Sequence, residues 1–152
     1  MYILISQREI VLHQERLTII NYHFLSLFND EELSIKAYNI ETVLAEKIET
    51  VISRVEASTR PRDRYDIFNL YQLRKNELNM EILEKAIQNT FKASNSTEAL
   101  LTWRNSIKKV KESEYQKELW KRYQKAFRYA QELSFEETIE TIETILSQLF
   151  HD

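Results

Sequence analysis

Lys47 is the residue whose type and place most invite chemistry. Ile40, Val43, Leu44, Ile48, Val51, Ile52 and Val55 recur at three- and four-residue spacing, which predicts an amphipathic helix. Lys47 falls inside that apolar stripe, a turn before Val51, and Arg54 follows along the same edge. A lysine so placed snorkels, pairs with an acid or faces a polar cavity. Two readings stay open. One is a structural ion pair or a snorkelling stem. The other is a cation that neutralises phosphate charge during phosphoryl or nucleotidyl transfer.

Asp63 and Asp66 supply the complementary charge. Their spacing puts both on one face at the start of a second helix, where carboxylates favour the positive end of the helix dipole. That placement alone accounts for them. The functional reading makes one of them a general base or an orienter of Lys47. Arg60, Arg62 and Arg64 flank the acids, either as a solvated turn or as a phosphate clamp. Tyr65, Phe68 and Tyr71 read as core residues. Further along, Lys117, Lys121, Arg122, Lys125 and Arg128 interleave with Tyr115, Trp120, Tyr123, Phe127 and Tyr129. Such interleaving can bind single-stranded RNA. Most of these rings also sit at core spacing, and an acidic last helix can answer the basic one.

The chain must position these groups with 152 residues, enough for one domain with its own core. Its net charge of −3 names no partner, but the charge is polarised. Residues 101–130 carry nine Lys/Arg against three Glu, and residues 131–152 carry six acids with no Lys or Arg. There is no cysteine, which excludes thiol chemistry and fits a reducing cytoplasm. His13, His23 and His151 lack ligand spacing, so no metal site is expected from them. No apolar run approaches a membrane span. The chain also has no glycine, where average usage would give about eleven. Glycine-rich phosphate loops are thereby excluded, and helix ends must rely on Asn.

The pattern predicts an α+β, predominantly α-helical fold. Residues 1–37 read as a strand-rich segment, with YILIS (2–6) β-prone and alternation at Ile10, Leu12, Leu33, Ile35 and Ala37. Residues 38–152 read as a helical region. Pro61 fits a first helical turn. A third helix carries Ile82, Leu83, Ala86, Ile87 and Phe91, SNST (94–97) breaks it, and a fourth spans 97–111. Ser113 with Gln116 and Ser134 with Glu137 have capping-box spacing. A fifth helix holds Leu119, Trp120, Tyr123, Phe127 and Ala130, and the last holds Phe135, Ile139, Ile142, Ile145, Leu146 and Leu149.

YNIETVLAEKIETVISR (38–54) followed by TRPRDRYDIFNLYQL (59–73) resembles the signature of the AbiEii/AbiGii nucleotidyltransferase toxins of type IV toxin–antitoxin and abortive-infection systems. LEKAIQNTF (83–91), ELWKRYQKAFRYA (118–130) and LSFEETIETI (133–142) are similar to the family's later helices, and REI (8–10) and SLFNDEELSIKAYN (26–39) to the strands before the signature. The resemblance implies a nucleotidyltransferase fold, NTP and Mg2+ in the complete enzyme, an antitoxin partner and, as for some relatives, a tRNA acceptor. It makes Lys47, Asp63 and Asp66 the catalytic candidates. Arg54 and Arg62 match supporting basic positions, and Arg60 joins them as a nucleotide- or phosphate-binding candidate. The family's Gly-Ser motif and D-x-D pair have no counterpart here. The expectation is therefore a C-terminal portion, its strands completing a sheet built elsewhere, that binds NTP and Mg2+ weakly and transfers nothing alone. The alternative is a non-catalytic helical module that binds an antitoxin-like protein or tRNA.

Overall fold

A computed structural model describes residues 17–22 and 33–151, and it divides the chain into two compact units, Met1–Asn39 and Ile40–Asp152. In the first, β1 (Leu17–Tyr22) and β2 (Leu33–Tyr38) pair antiparallel, Leu17 opposite Tyr38 and Tyr22 opposite Leu33. The strand expected at 2–6 and the alternation at Ile10 and Leu12 lie outside the described residues.

The second unit is all-helical among its described residues. Its helices are α1 (Ile40–Arg54), α2 (Pro61–Arg74), α3 (Met80–Ala93), α4 (Thr97–Leu101), α5 (Trp103–Glu112), α6 (Glu114–Ala126) and α7 (Phe135–Leu149). Helix α1 packs on α2 and α3, and α2 also packs on α6 and α7. The predicted apolar stripe supplies the centre: Leu44, Ala45, Ile48, Val51 and Ile52 are buried, against Ile67, Leu83, Ile87 and Phe91. Fully burying each large side chain contributes roughly 1.5–3 kcal/mol. The last helix adds Ile139, Ile142, Ile145 and Leu146 to the same core.

Side chains fix the starts of α3, α6 and α7. Pro61 occupies the first turn of α2. Ser113 accepts from the Gln116 N–H, and Ser134 with Glu137 forms a complete capping box. Asn79 caps α3, and its own N–H donates to the buried Glu41 carboxylate, 2.9 Å away. With no glycine available, Asn95 takes the left-handed conformation (φ 54°) that ends α3. The Ser96 N–H then reaches the Phe91 carbonyl and the Asn95 N–H that of Lys92, the two bonds of a Schellman cap. Val55, at the end of α1, is also left-handed (φ 43°), an unfavourable state for a β-branched residue.

Two expectations need correction. The helix predicted over 97–111 is broken at Thr102, whose hydroxyl donates back to the Glu98 carbonyl at 2.9 Å. Thr50, Thr141 and Thr144 make the same bond within unbroken helices, so it accompanies the break without causing it. The helix expected to run through Phe127 stops at Ala126. Phe127 is extended and 42% exposed, and a single 3-10 turn, Arg128–Ala130, follows it.

Candidate functional site

Helix α1 presents Lys47 to the first turns of α2. Its ammonium donates to Asp63 Oδ1 at 3.0 Å and to Asp66 Oδ2 at 2.8 Å. All three side chains are mostly covered, 20% exposed for Lys47 and 14% and 18% for the aspartates. Of the arrangements open to a lysine in an apolar stripe, the chain therefore uses pairing with acids. Burial by itself lowers the Lys47 pKa, but the hydrogen bonds and charges of Asp66 and Asp63 outweigh it and hold the ammonium above its ordinary 10.5. Lys47 is thus charged at any physiological pH.

The neighbouring arginines separate into different roles. Arg62 is half exposed and sets its Nε 3.8 Å from Asp66 Oδ2. Arg54 and Arg60 are exposed and make no ion pair among the described residues. Arg64 is wholly buried. It donates from Nη1 to Gln116 Oε1 at 2.6 Å and lies 5.8 Å from the Trp120 ring centroid and 5.2 Å from that of Phe135. Among the described residues its Nε and Nη2 find no partner, nor does the buried Ser58 hydroxyl. Burial pushes the guanidinium down to about 10, with the charge of Asp63 opposing the fall. Gln116 donates in turn to the carbonyls of Ser58 (2.8 Å) and Val55 (3.3 Å). Arg64 and Gln116 thereby tie α2 to α6 and to the turn after α1, directly beside Asp63.

That role was not read from the sequence, although the signal was present. Arg64 precedes Ile67 and Phe68 by three and four residues, so it stands in an apolar stripe as Lys47 does. The rings also divide differently from the core reading. Trp120 and Tyr123 are buried, whereas Tyr115, Phe127 and Tyr129 are 52%, 42% and 54% exposed. Burial first, then the hydrogen bond to Tyr129, then the charges of Tyr129 and Asp66 push the Tyr123 phenol up. The expected answer of the acidic last helix to the basic one is narrow. Lys111 of α5 pairs with Glu143 of α7, while Lys117 and Arg122 of α6 pair with Glu114 and Glu118 of their own helix.

No group of three or more His, Cys, Asp or Glu is placed to hold a metal among the described residues. Asp63 and Asp66 each commit one oxygen to Lys47, and two such carboxylates fall short of the clustered acids that a two-metal site needs. The described residues do not fit a Mg2+ centre by themselves. The single D-x-E spacing in the sequence, Asp30 with Glu32, lies outside the described residues. No helix among them is long and apolar enough to cross a membrane.

No curated protein and no solved structure matches the chain. A family model does, over residues 3–146, and its description is nucleotidyl transferase AbiEii toxin of a type IV toxin–antitoxin system. The match takes in Lys47, Asp63, Asp66 and every helix of the second unit up to the last turn of α7. It implies in general terms an NTP as reactant with Mg2+ as cofactor, and an antitoxin as partner. With nearly its whole length inside that match, the chain belongs to the AbiEii nucleotidyltransferase toxin family.

Proposed function

We propose that Lys47, Asp63 and Asp66 form one half of an NTP- and Mg2+-dependent nucleotidyl transfer site. The observation that carries this reading is the double hydrogen bond from Lys47 to two aspartates on a different helix, within the stretch that matches the family. Lys47 fixes the rotamers of both carboxylates. Asp63 orients the lysine or accepts a proton from the attacking hydroxyl, and Asp66 seconds it. Arg62, with Arg54 and Arg60, supplies phosphate-binding cations. The sequence has no glycine and no D-x-D, so the nucleotide- and metal-holding elements come from a separate segment. Strands β1 and β2 extend the sheet of that segment. The chain alone is inactive.

The test is incorporation of a radiolabelled nucleotide into tRNA with Mg2+. The chain alone should incorporate none. Fused to a family segment bearing the Gly-Ser and D-x-D elements it should be active, and Lys47→Ala or Asp63→Ala should each slow it about 100- to 1,000-fold. Robust incorporation by the chain alone, or unchanged rates in both variants, would sink this reading. A second reading, a non-catalytic helical module for an antitoxin-like protein or tRNA, is favoured by the run Lys121, Arg122, Lys125 and Arg128, all exposed.

A further inference from the structure

The exposed rings at the end of α6 are not scattered. Phe127 and Tyr129 contact one another at 5.4 Å between centroids, with planes inclined by only 31°. Phe127 rests on Tyr123 at 4.7 Å, and Tyr129 rests on Tyr65 at 4.8 Å. Tyr123 is buried beneath both, backed by Trp120 at 5.4 Å, and the phenol oxygens of Tyr123 and Tyr129 are hydrogen-bonded at 2.9 Å. The two outer rings are therefore held rigidly from below while a large part of each faces solvent. The break of α6 at Phe127 and the 3-10 turn after it turn both rings outward. Had the helix continued, the chain would not fold back to bring Tyr129 onto Phe127.

Isolated exposed aromatics are ordinary, as Tyr115 is here. A supported pair of rings within a run of cations is less so. Residues 121–130 hold Lys121, Arg122, Lys125 and Arg128 and no acid. All four are exposed, and among the described residues Lys125 and Arg128 have no ion-pair partner. Rigid rings and free cations are the two components of surfaces that stack unpaired bases while tracking a phosphate backbone. The position also matters. Tyr65 beneath Tyr129 is the residue immediately before Asp66, so α2 carries the support of the platform and the acid bonded to Lys47 on successive residues.

We infer that Phe127 and Tyr129 form a stacking platform for an unpaired nucleobase of a single-stranded nucleic acid, with Lys125 and Arg128 on its phosphates. This deepens the catalytic reading by placing a strand next to Asp66, yet the binding itself requires no chemistry. The charge pattern favours a polyanion over an apolar protein groove as the occupant.

The experiment is fluorescence anisotropy of the full chain with a short labelled oligoadenylate, without NTP or Mg2+. Binding should weaken steeply with salt. Phe127→Ala and Tyr129→Ala should each weaken it about ten-fold, whereas Phe127→Trp, which keeps a stacking face, and Tyr115→Ala should leave it within about two-fold. With neither NTP nor Mg2+ present, loss of binding in the ring variants reads the platform alone, which separates this proposal from the catalytic one. Melting curves must show the ring variants folded. Binding that depends on salt but is indifferent to both rings would overturn the platform, as would an absence of binding. A free nucleoside triphosphate that competes as well as the oligomer would overturn the assignment to a strand. An oligodeoxyadenylate bound equally well supports stacking without recognition of the ribose.

Discussion

Lys47 shows how a single side chain can be read from its neighbours before its partners are known. Its place in the stripe of α1 demanded either an acid or solvent, and the pairing with Asp63 and Asp66 meets that demand. Because its pKa is raised above 10.5 in the folded chain, its ion pairs contribute stability in full below the ordinary lysine value and lose it as pH rises through the raised one. The difference in melting temperature between the parent and Lys47→Met should therefore be constant near neutrality and shrink above about pH 10.5. A difference that grows with alkalinity would contradict the pairing. Arg64 is the residue whose importance the sequence reading passed over, because its flanking arginines suggested a solvated turn. It fills core volume against Trp120 and Phe135 with its charge only partly bonded. Arg64→Ala should cost about 3 kcal/mol, and Arg64→Met less than about 1.5, since volume is kept and the burial cost of the cation is removed. Equal losses in chemical denaturation would show that charge, not volume, is what the site needs.

At the scale of the element, apolar periodicity located the helices well. The stripes of α1, α3 and α7 are the buried faces observed, and the capping spacings at Ser113 and Ser134 mark true helix starts. What periodicity did not show was where helices stop. The break at Thr102 and the turn at Phe127 depend on backbone states that no apolar repeat encodes. Much of the ring platform was hidden for the same reason, since Phe127 sits at core spacing for a helix that has already ended. The want of glycine has a measurable cost. Val55 holds a left-handed backbone, which costs about 1–3 kcal/mol. Val55→Asn should raise stability by about 1 kcal/mol, because Asn tolerates that state far better. Asn95→Ala should lower it by about 1 kcal/mol by spoiling the cap between α3 and α4. Melting of the two variants against the parent checks both signs.

For the whole molecule, the resemblance carried by residues 38–54 and 59–73 agrees with a family match that spans almost the full chain. The metal site is another matter. Two aspartates already engaged by a lysine offer little to Mg2+, and a ligand that binds only the folded state must reach its dissociation constant before it stabilises that state. Adding NTP and Mg2+ to the isolated chain, or removing divalent ions with a chelator, should thus leave its melting temperature unchanged. A rise of several degrees would mean that the chain holds nucleotide or metal unaided. The polarised charge of the last fifty residues, clear in composition, left its purpose open. Sequence could not tell which cations were spent within α6 and which stand free, because that depends on side-chain reach to Glu114 and Glu118.

The doubly bonded ammonium has one further consequence, for covalent reactivity. An acylating reagent attacks the free amine, and Lys47 withholds it twice, through a raised pKa and through two carboxylates that occupy its protons. Graded treatment with an amine-directed ester at mildly alkaline pH, followed by peptide mass spectrometry, should mark exposed lysines such as Lys121 and Lys125 early and Lys47 last. The same protection would shelter the residue from enzymatic acetylation in the folded chain. Its modification would then report unfolding, or a rearrangement that parts α1 from α2.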